Sequence, residues 1–190
     1  MGKDLRVQAG TLLAAWPDLL DPNFMHSVIL ICDHTDDGAY GLVTNRQSEF
    51  TLGELLADHE SLSDCDFPVH LGGPVDHTRL QFVHILPERI SGGISIDGRI
   101  WLGGDLEDIA RLIEDDRELA SRSVRIFLGY SGWGEGQLEG ELDSGSWIPA
   151  PPTMDAIFGD VGEPTWRQVV RSVGTDASGL ESQPPDVSWN

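Results

Sequence analysis

The feature that most constrains the fold is a glycine-rich stretch at residues 129–142, with the sequence GYSGWGEGQLEGEL. It directly follows residues 124–128, a largely apolar run that predicts a buried central strand. Glycine permits tight bends and close approach by other backbone, so the stretch predicts a sharply bent chain packed near another segment. A glycine pair, at residues 72–73 before Pro74, also follows a predicted strand. We expect this pair to lie close in space to the glycine-rich stretch.

The length and composition predict one domain with a sizeable core. The chain has 190 residues, 39% of them hydrophobic. We place the domain at residues 7–174 and expect residues 175–190, rich in Ser, Pro and Asp, to form a disordered acidic tail. No apolar run approaches the roughly 18 residues that cross a bilayer, and no signal-peptide pattern opens the chain. We therefore expect a cytoplasmic protein without a membrane partner.

The charge of the chain restricts its partners. Thirty-two acidic residues against 12 Lys and Arg give a net charge of −20, which repels phosphate backbones and anionic membranes. This balance argues against a nucleic-acid partner. It fits either a surface adapted for solubility or a cationic partner, and we favour solubility. Lys3 is the only lysine, so Walker A, Schiff-base and Ser–Lys chemistry are excluded.

The order of predicted elements indicates an α+β fold. Strands are predicted at residues 10–15, 27–33, 39–44, 69–72, 79–86, 94–96, 99–102, 124–130 and 146–150. Helices are predicted at residues 52–58, after the N-cap Asp105, and at 154–158 and 165–173. Helices interrupt the strands irregularly, which argues against a doubly wound parallel sheet.

The motifs for catalysis and phosphate binding are incomplete. Ser131 follows a strand, but a nucleophile elbow needs Gly at position 133, where this chain has Trp133. The glycines around it do not match a dinucleotide loop, and Glu135 and Glu139 would repel an anion. The six histidines and two cysteines lack zinc-ligand spacing. We expect no cofactor and no metal.

Two histidines and a group of carboxylates are the remaining candidates. His84 alternates with apolar residues, so it is either a hydrogen-bonded core residue or a polar group on the floor of a cleft. His34 follows a predicted strand end, where loop and cleft residues occur. The carboxylates at positions 135, 139, 141 and 143 could hold a hard cation, but a solvated acidic face is the simpler interpretation.

Several motifs in a fixed order resemble the YqgE/AlgH family. They are Gly10-Thr11-Leu12-Leu13, Asp21-Pro22-Asn23-Phe24, residues 38–46 (GAYGLVTNR), Gly72-Gly73-Pro74-Val75, Gly129-Tyr130-Ser131-Gly132-Trp133 and Gly136-Gln137-Leu138-Glu139. The resemblance runs from about residue 10 to residue 174, which is nearly the whole predicted domain. It implies a single α+β domain on a coiled, partly branched, largely antiparallel β-sheet with a few short helices. The resemblance brings with it no established enzymatic activity, and one branch of that family is named for regulating alginate synthesis.

The resemblance and the residues together define a candidate binding cleft. Its members are His34, Asn45, Gly72, Gly73, Pro74, His84, Gly129, Trp133, Gln137 and Glu139. We expect a non-enzymatic binding or regulatory module whose partner is a small molecule or a protein. The first alternative is an enzyme that uses His34, His84 and Glu139 in one cleft, and the second is a direct DNA-binding regulator. Convergence of those three side chains would favour the enzyme, and their separation would favour the module.

Overall fold

The first two strands, β1 (Leu12–Ala15) and β2 (Val28–Thr35), lie where the sheet is covered on both faces. Leu12 and Ala14 pack into one apolar cluster, whereas Leu13 and Ala15 pack into another on the opposite face. This two-sided burial explains why β1, and β2 as far as Cys32, are continuously apolar instead of alternating. The structure is a computed structural model that describes residues 6–59 and 61–174. The tail expected at residues 175–190 lies outside the described residues.

The other elements are short. The strands are β3 (Gly38–Val43), β4 (Gln47–Thr51), β5 (Pro68–Leu71), β6 (Val75–His84), β7 (Ile94–Ser95), β8 (Trp101–Leu102), β9 (Val124–Gly134) and β10 (Trp147–Ala150). The helices are α1 (Leu52–Leu55), α2 (Leu106–Asp115), α3 (Arg117–Ser123), α4 (Gln137–Asp143), α5 (Met154–Phe158) and α6 (Glu163–Ser172). The capping box of Thr51 and Glu54 and the N-cap at Asp105 begin α1 and α2 as the sequence predicts.

The described strands form one largely antiparallel sheet in the order β10-β1-β2-β3-β9-β6-β8-β7, with β5 and β4 as a side branch. Strand β9 is the centre. One of its edges pairs with β6, and the other pairs first with β5, in parallel, at residues 126–128 and then with β3 at residues 131–134. The predicted α+β class and the coiled, partly branched sheet are thus confirmed.

Glycines make the branch of the sheet possible. The Gly72 N–H donates to the Leu128 carbonyl, and the Gly72 carbonyl accepts from the Val43 N–H, so this residue lies between β9 and β3. A Cβ on Gly72 would lie 2.3 Å from the Gly129 carbonyl oxygen, and one on Gly73 would lie 2.2 Å from that of Tyr130. These glycines therefore serve close backbone approach, as the sequence predicts.

Three elements differ from the sequence-based expectation. Strand β4 and helix α3 were not predicted, and the glycine-rich stretch is more regular than expected. The strand β9 continues through Gly134, and α4 begins at Gln137 after a single left-handed residue, Gly136, with φ +68°. Leu138, buried at 1% exposure, anchors α4 to the core, so tertiary packing outweighs the local preference of glycine for turns.

Candidate functional site

A pocket of about 1120 Å³ lies where the N-terminal segment, the end of β2 and helix α4 meet. Its central contact joins His34 and Glu139, with 2.7 Å between Nε2 and Oε1. The other ring nitrogen of His34, Nδ1, lies 3.1 Å from the carbonyl oxygen of Val7. The imidazole thus links the N-terminal segment to α4 across the pocket.

The contacts of His34 determine what it can do chemically. A carbonyl and a carboxylate are both acceptors, so both contacts are hydrogen bonds only when each ring nitrogen of His34 carries a proton. The charged ring then faces the Glu139 carboxylate, an arrangement that strengthens the bond. The pKa of the Glu139 carboxyl is lowered by its own backbone N–H and by the bond from His34. The pair is therefore a clamp across the pocket, and it is ionic when the ring is protonated.

Gln137, two residues before Glu139, fixes the start of helix α4. The Gln137 side chain accepts from the Gly134 N–H over 3.1 Å and donates to Glu141 over 3.0 Å. It ties the end of β9 to the first turn of α4 and so fixes where Glu139 points. Trp133 is 6% exposed and lies beneath this turn rather than in the pocket lining.

The glycine members of the predicted cleft lie at the branch of the sheet. Gly72, Gly73 and Gly129 contact one another's backbone, and the Ser131 hydroxyl donates to the Gly72 carbonyl over 3.1 Å. Ser131 is fully buried, so its hydroxyl has a structural partner. Pro74 is exposed beside them. None of these residues lines the pocket of His34 and Glu139.

His84 also lies away from that pocket. It is fully buried at the end of β6, its ring stacks on Trp101, and its Nδ1 accepts from the Leu86 N–H over 3.2 Å. Its Nε2 has no hydrogen-bond partner among the described residues. Burial lowers the pKa of His84, which keeps the ring neutral. The three side chains of the enzyme hypothesis therefore do not converge.

Asn45 is a buried structural bridge. Its Oδ1 accepts from the Val28 N–H over 2.8 Å, and its Nδ2 donates to the carbonyls of His26 and Gly162, each over 2.9 Å. With 2% exposure, the side chain fastens the loop before α6 to the start of β2. All of its polar contacts are to backbone, so it has the role of a connector between segments.

Sequence reasoning missed one pair of buried polar residues. His70 on β5 and Arg125 on β9 are 4% and 5% exposed, and Nε2 of His70 lies 2.7 Å from Nη1 of Arg125. Each occurs singly in an apolar run, and parallel pairing of the two strands brings them together. The isolated Arg125 within VRIFL was the available signal, because a charged residue in a buried strand is rarely without a partner.

Two kinds of feature are absent from the part of the chain that the structure describes. Within residues 6–59 and 61–174, no group of three or more His, Cys, Asp or Glu side chains is arranged to hold a metal ion. Among the helices in that same part of the chain, none has the length and apolar character needed to cross a membrane.

The fold is of the single-domain α+β class, with a branched, largely antiparallel sheet and short helices. Comparison with known proteins identifies the family. The chain matches the AlgH-like family over residues 12–178 and belongs to that family. A UPF0301 protein of Chlorobium limicola is 41% identical over 170 residues, which cover 89% of this chain and 88% of the relative. A UPF0301 protein of Cytophaga hutchinsonii is 36% identical over 183 residues, covering 95% and 98%.

Solved structures show the same fold. The solution structure of the AlgH protein from Pseudomonas aeruginosa matches with a TM-score of 0.71 and 26% identity, covering 97% of this chain and 98% of that one. A crystal structure of a Corynebacterium diphtheriae protein matches with a TM-score of 0.74, covering 94% and 93%. At 20% identity, the second match concerns the fold alone.

Proposed function

We propose that this protein is a non-enzymatic binding module and that its binding site is the pocket of His34 and Glu139. The observation that carries the proposal is the engagement of both ring nitrogens of His34. A general base needs a free lone pair for the proton of its substrate, and His34 has none while both bonds hold. The separation of His84 from the pocket supports the same choice, because the enzyme hypothesis requires all three side chains together.

The side chains around the clamp favour a cationic ligand. The pocket lining includes four carboxylates, those of Asp36, Glu135, Glu139 and Asp143. The lining also includes one guanidinium, that of Arg6. Apolar atoms of Val7, Leu142, Trp147 and Pro149 are also part of the lining. An arginine or lysine side chain of a partner protein has this character, because it combines an apolar stem with a charged end. Recognition of such a segment would suit a regulatory protein, and a cytoplasmic location stays a prediction.

The test compares two variants that remove the same charge from two His–Glu pairs. Glu139→Gln changes the pair in the pocket, and Glu107→Gln changes the surface pair of His59 and Glu107, whose Nε2 and Oε1 are 2.9 Å apart. Binding of a fluorescent tetra-arginine peptide is measured by anisotropy at low and moderate salt. We expect Glu139→Gln to weaken binding several-fold, by roughly 1 kcal/mol, and Glu107→Gln to leave it unchanged.

Two outcomes would count against the proposal. Equal weakening by both variants would show that the peptide senses only the overall charge of −20. Absence of any saturable binding would remove the cationic ligand altogether.

A further inference from the structure

Arg125 is a buried cation whose nearest partners are uncharged. Nη1 contacts His70, and Nη2 donates to the Gly159 carbonyl over 2.6 Å. Since Nε2 of His70 accepts this bond, its Nδ1 carries the proton and faces the Ile126 carbonyl at 3.3 Å. Burial, and then the charge of Arg125, lower the pKa of His70 to about 3, so the imidazole is neutral.

No described carboxylate contacts the guanidinium directly, although the charge of Asp160 acts on it from a greater distance. Among the described residues, no carboxylate oxygen lies within 4.0 Å of the Arg125 guanidinium, although 32 acidic residues occur in the chain. Removing a guanidinium from water is costly unless an anion or several acceptors replace the lost hydration. A guanidinium has five N–H donors, and the two described bonds leave three for another partner.

Arg125 is part of the lining of a cavity. The cavity has a volume of about 240 Å³ and lies between β5, β9 and the loop after α5. Its lining includes the apolar side chains of Phe67 and Phe158, together with Ser121, Arg125, Gly159 and Asp160. The volume is below that of a typical drug-sized site, about 300–1,000 Å³, so the ligand is small.

The charges in the cavity select the kind of anion. Asp160 also lines it, and its carboxylate opposes the burial that lowers the pKa of Arg125. One guanidinium beside one carboxylate does not favour a dianion such as phosphate, and the apolar walls suit a hydrocarbon body. We propose that this cavity binds a small organic monocarboxylate, with its carboxylate on Arg125 and its apolar body between Phe67 and Phe158.

This site is separate from the one in the proposed function. The cavity of Arg125 and the pocket of His34 share no lining residue, and they favour ligands of opposite charge. Success or failure of either proposal therefore leaves the other standing.

The experiment uses the full chain and benzoate as the probe. Amide ¹H–¹⁵N spectra are recorded during titration with benzoate, with neutral benzamide and with inorganic phosphate. We expect saturable shifts at Ser121 and Gly159 with benzoate and at least about tenfold weaker binding of the other two compounds. Phosphate that binds as tightly as benzoate, or benzoate shifts that omit this cavity, would overturn the proposal.

Matched variants test the two charges. Arg125→Gln should weaken benzoate binding at least about tenfold, whereas Arg99→Gln, at an exposed ion pair with Asp97, should not change it. Arg125→Gln removes a buried hydrogen-bonded group and can prevent folding, so Asp160→Asn provides a second test at an exposed residue. Loss of the Asp160 carboxylate should tighten benzoate binding about threefold. The control is Asp155→Asn, at an exposed residue on α5. Equal effects of the two Asp variants would refute the proposed placement of the anion.

Discussion

Trp133 and Trp147 donate their indole N–H groups to the same oxygen, Oε2 of Glu141, each over 2.8 Å. The two rings meet edge to face, with centroids 6.1 Å apart. Because these residues lie on β9, β10 and α4, one carboxylate joins three elements next to the proposed binding pocket. Glu141 therefore has a structural role, and the sequence alone had placed it on a solvated acidic face.

The first prediction concerns this junction. Glu141→Ala would leave two largely buried indole N–H groups without an acceptor, at about 1–3 kcal/mol each. We expect the free energy of unfolding to fall by about 2–6 kcal/mol. Urea denaturation of this variant and of Glu135→Ala, an exposed carboxylate nearby, provides the comparison, and the control should change by less than about 0.5 kcal/mol. Equal midpoints for both variants would mean that the junction contributes nothing.

The second prediction concerns the apolar part of Trp133. Trp133→Ala removes a side chain that is 6% exposed, and truncation of large buried aromatics costs about 3–5 kcal/mol. Phe50→Ala, at a ring that is 47% exposed, should cost much less. A thermal melt of Trp133→Ala that matches the parent would identify Trp133 as a contact residue for a partner instead.

The third prediction compares two glycines with positive φ. A Cβ at Gly73 would overlap the Tyr130 carbonyl, whereas a Cβ at Gly136 would meet nothing within 4 Å. Gly136→Ala should therefore cost only the backbone strain, about 1–2 kcal/mol. Gly73→Ala should cost considerably more, because two backbone segments at the sheet branch must separate. Chemical denaturation measures both, and similar losses would show that the branch is not closely packed.

Local signals in the sequence account for much of the fold. Continuous apolar runs predicted β1, β2 and β9, and side-chain caps predicted α1 and α2, because both kinds of signal act within a few residues. Helix α4 escaped prediction because its start depends on Leu138 entering the core and on the contact between Gln137 and Gly134. Such packing is set by the whole chain and has no local signature.

The candidate site was predictable only in part. His34 and Glu139 are 105 residues apart and were both proposed, but nothing in a single sequence indicated that they pair. His84 was proposed with them, and its inward direction was correctly inferred from alternation along β6. Alternation predicts which face of the strand a side chain lies on, but not which residues of other elements surround it. The distance from His84 to the pocket could therefore not be inferred.

The fourth prediction concerns pH. The pKa of His70 is about 3 in the folded protein against an ordinary value of 6.5. As the pH falls below 6.5, the unfolded chain binds a proton at His70 that the folded protein does not, so stability decreases. One such group contributes at most about 1.4 kcal/mol per pH unit. Burial lowers the pKa of His26 and His84 as well, which adds to the same trend.

The variant His70→Gln isolates this contribution. Its amide oxygen can still accept from Arg125 but does not titrate. Urea midpoints at pH 7.5, 6.0 and 5.0 should decline less steeply for the variant than for the parent. Parallel declines would show that His70 takes up its proton equally in both states.

The last prediction separates a binding module from a direct DNA-binding regulator. Binding to duplex DNA requires cationic side chains that displace counter-ions from phosphate. Of the described arginines, five form ion pairs with carboxylates: Arg99, Arg111, Arg117, Arg122 and Arg167. Arg46 donates to the carbonyls of Pro22, Asn23 and Met25, and Arg125 is buried.

With these seven cations engaged and a net charge of −20, we expect no basic face for phosphate. We expect no binding of a random duplex even at the roughly 10⁻⁴–10⁻⁶ M typical of non-specific binders near physiological salt. Fluorescence anisotropy of a labelled duplex, titrated with protein at low and moderate salt, provides the measurement. A saturable signal that weakens steeply with added salt would show that folding gathers enough cations on one face, and it would make DNA the leading partner.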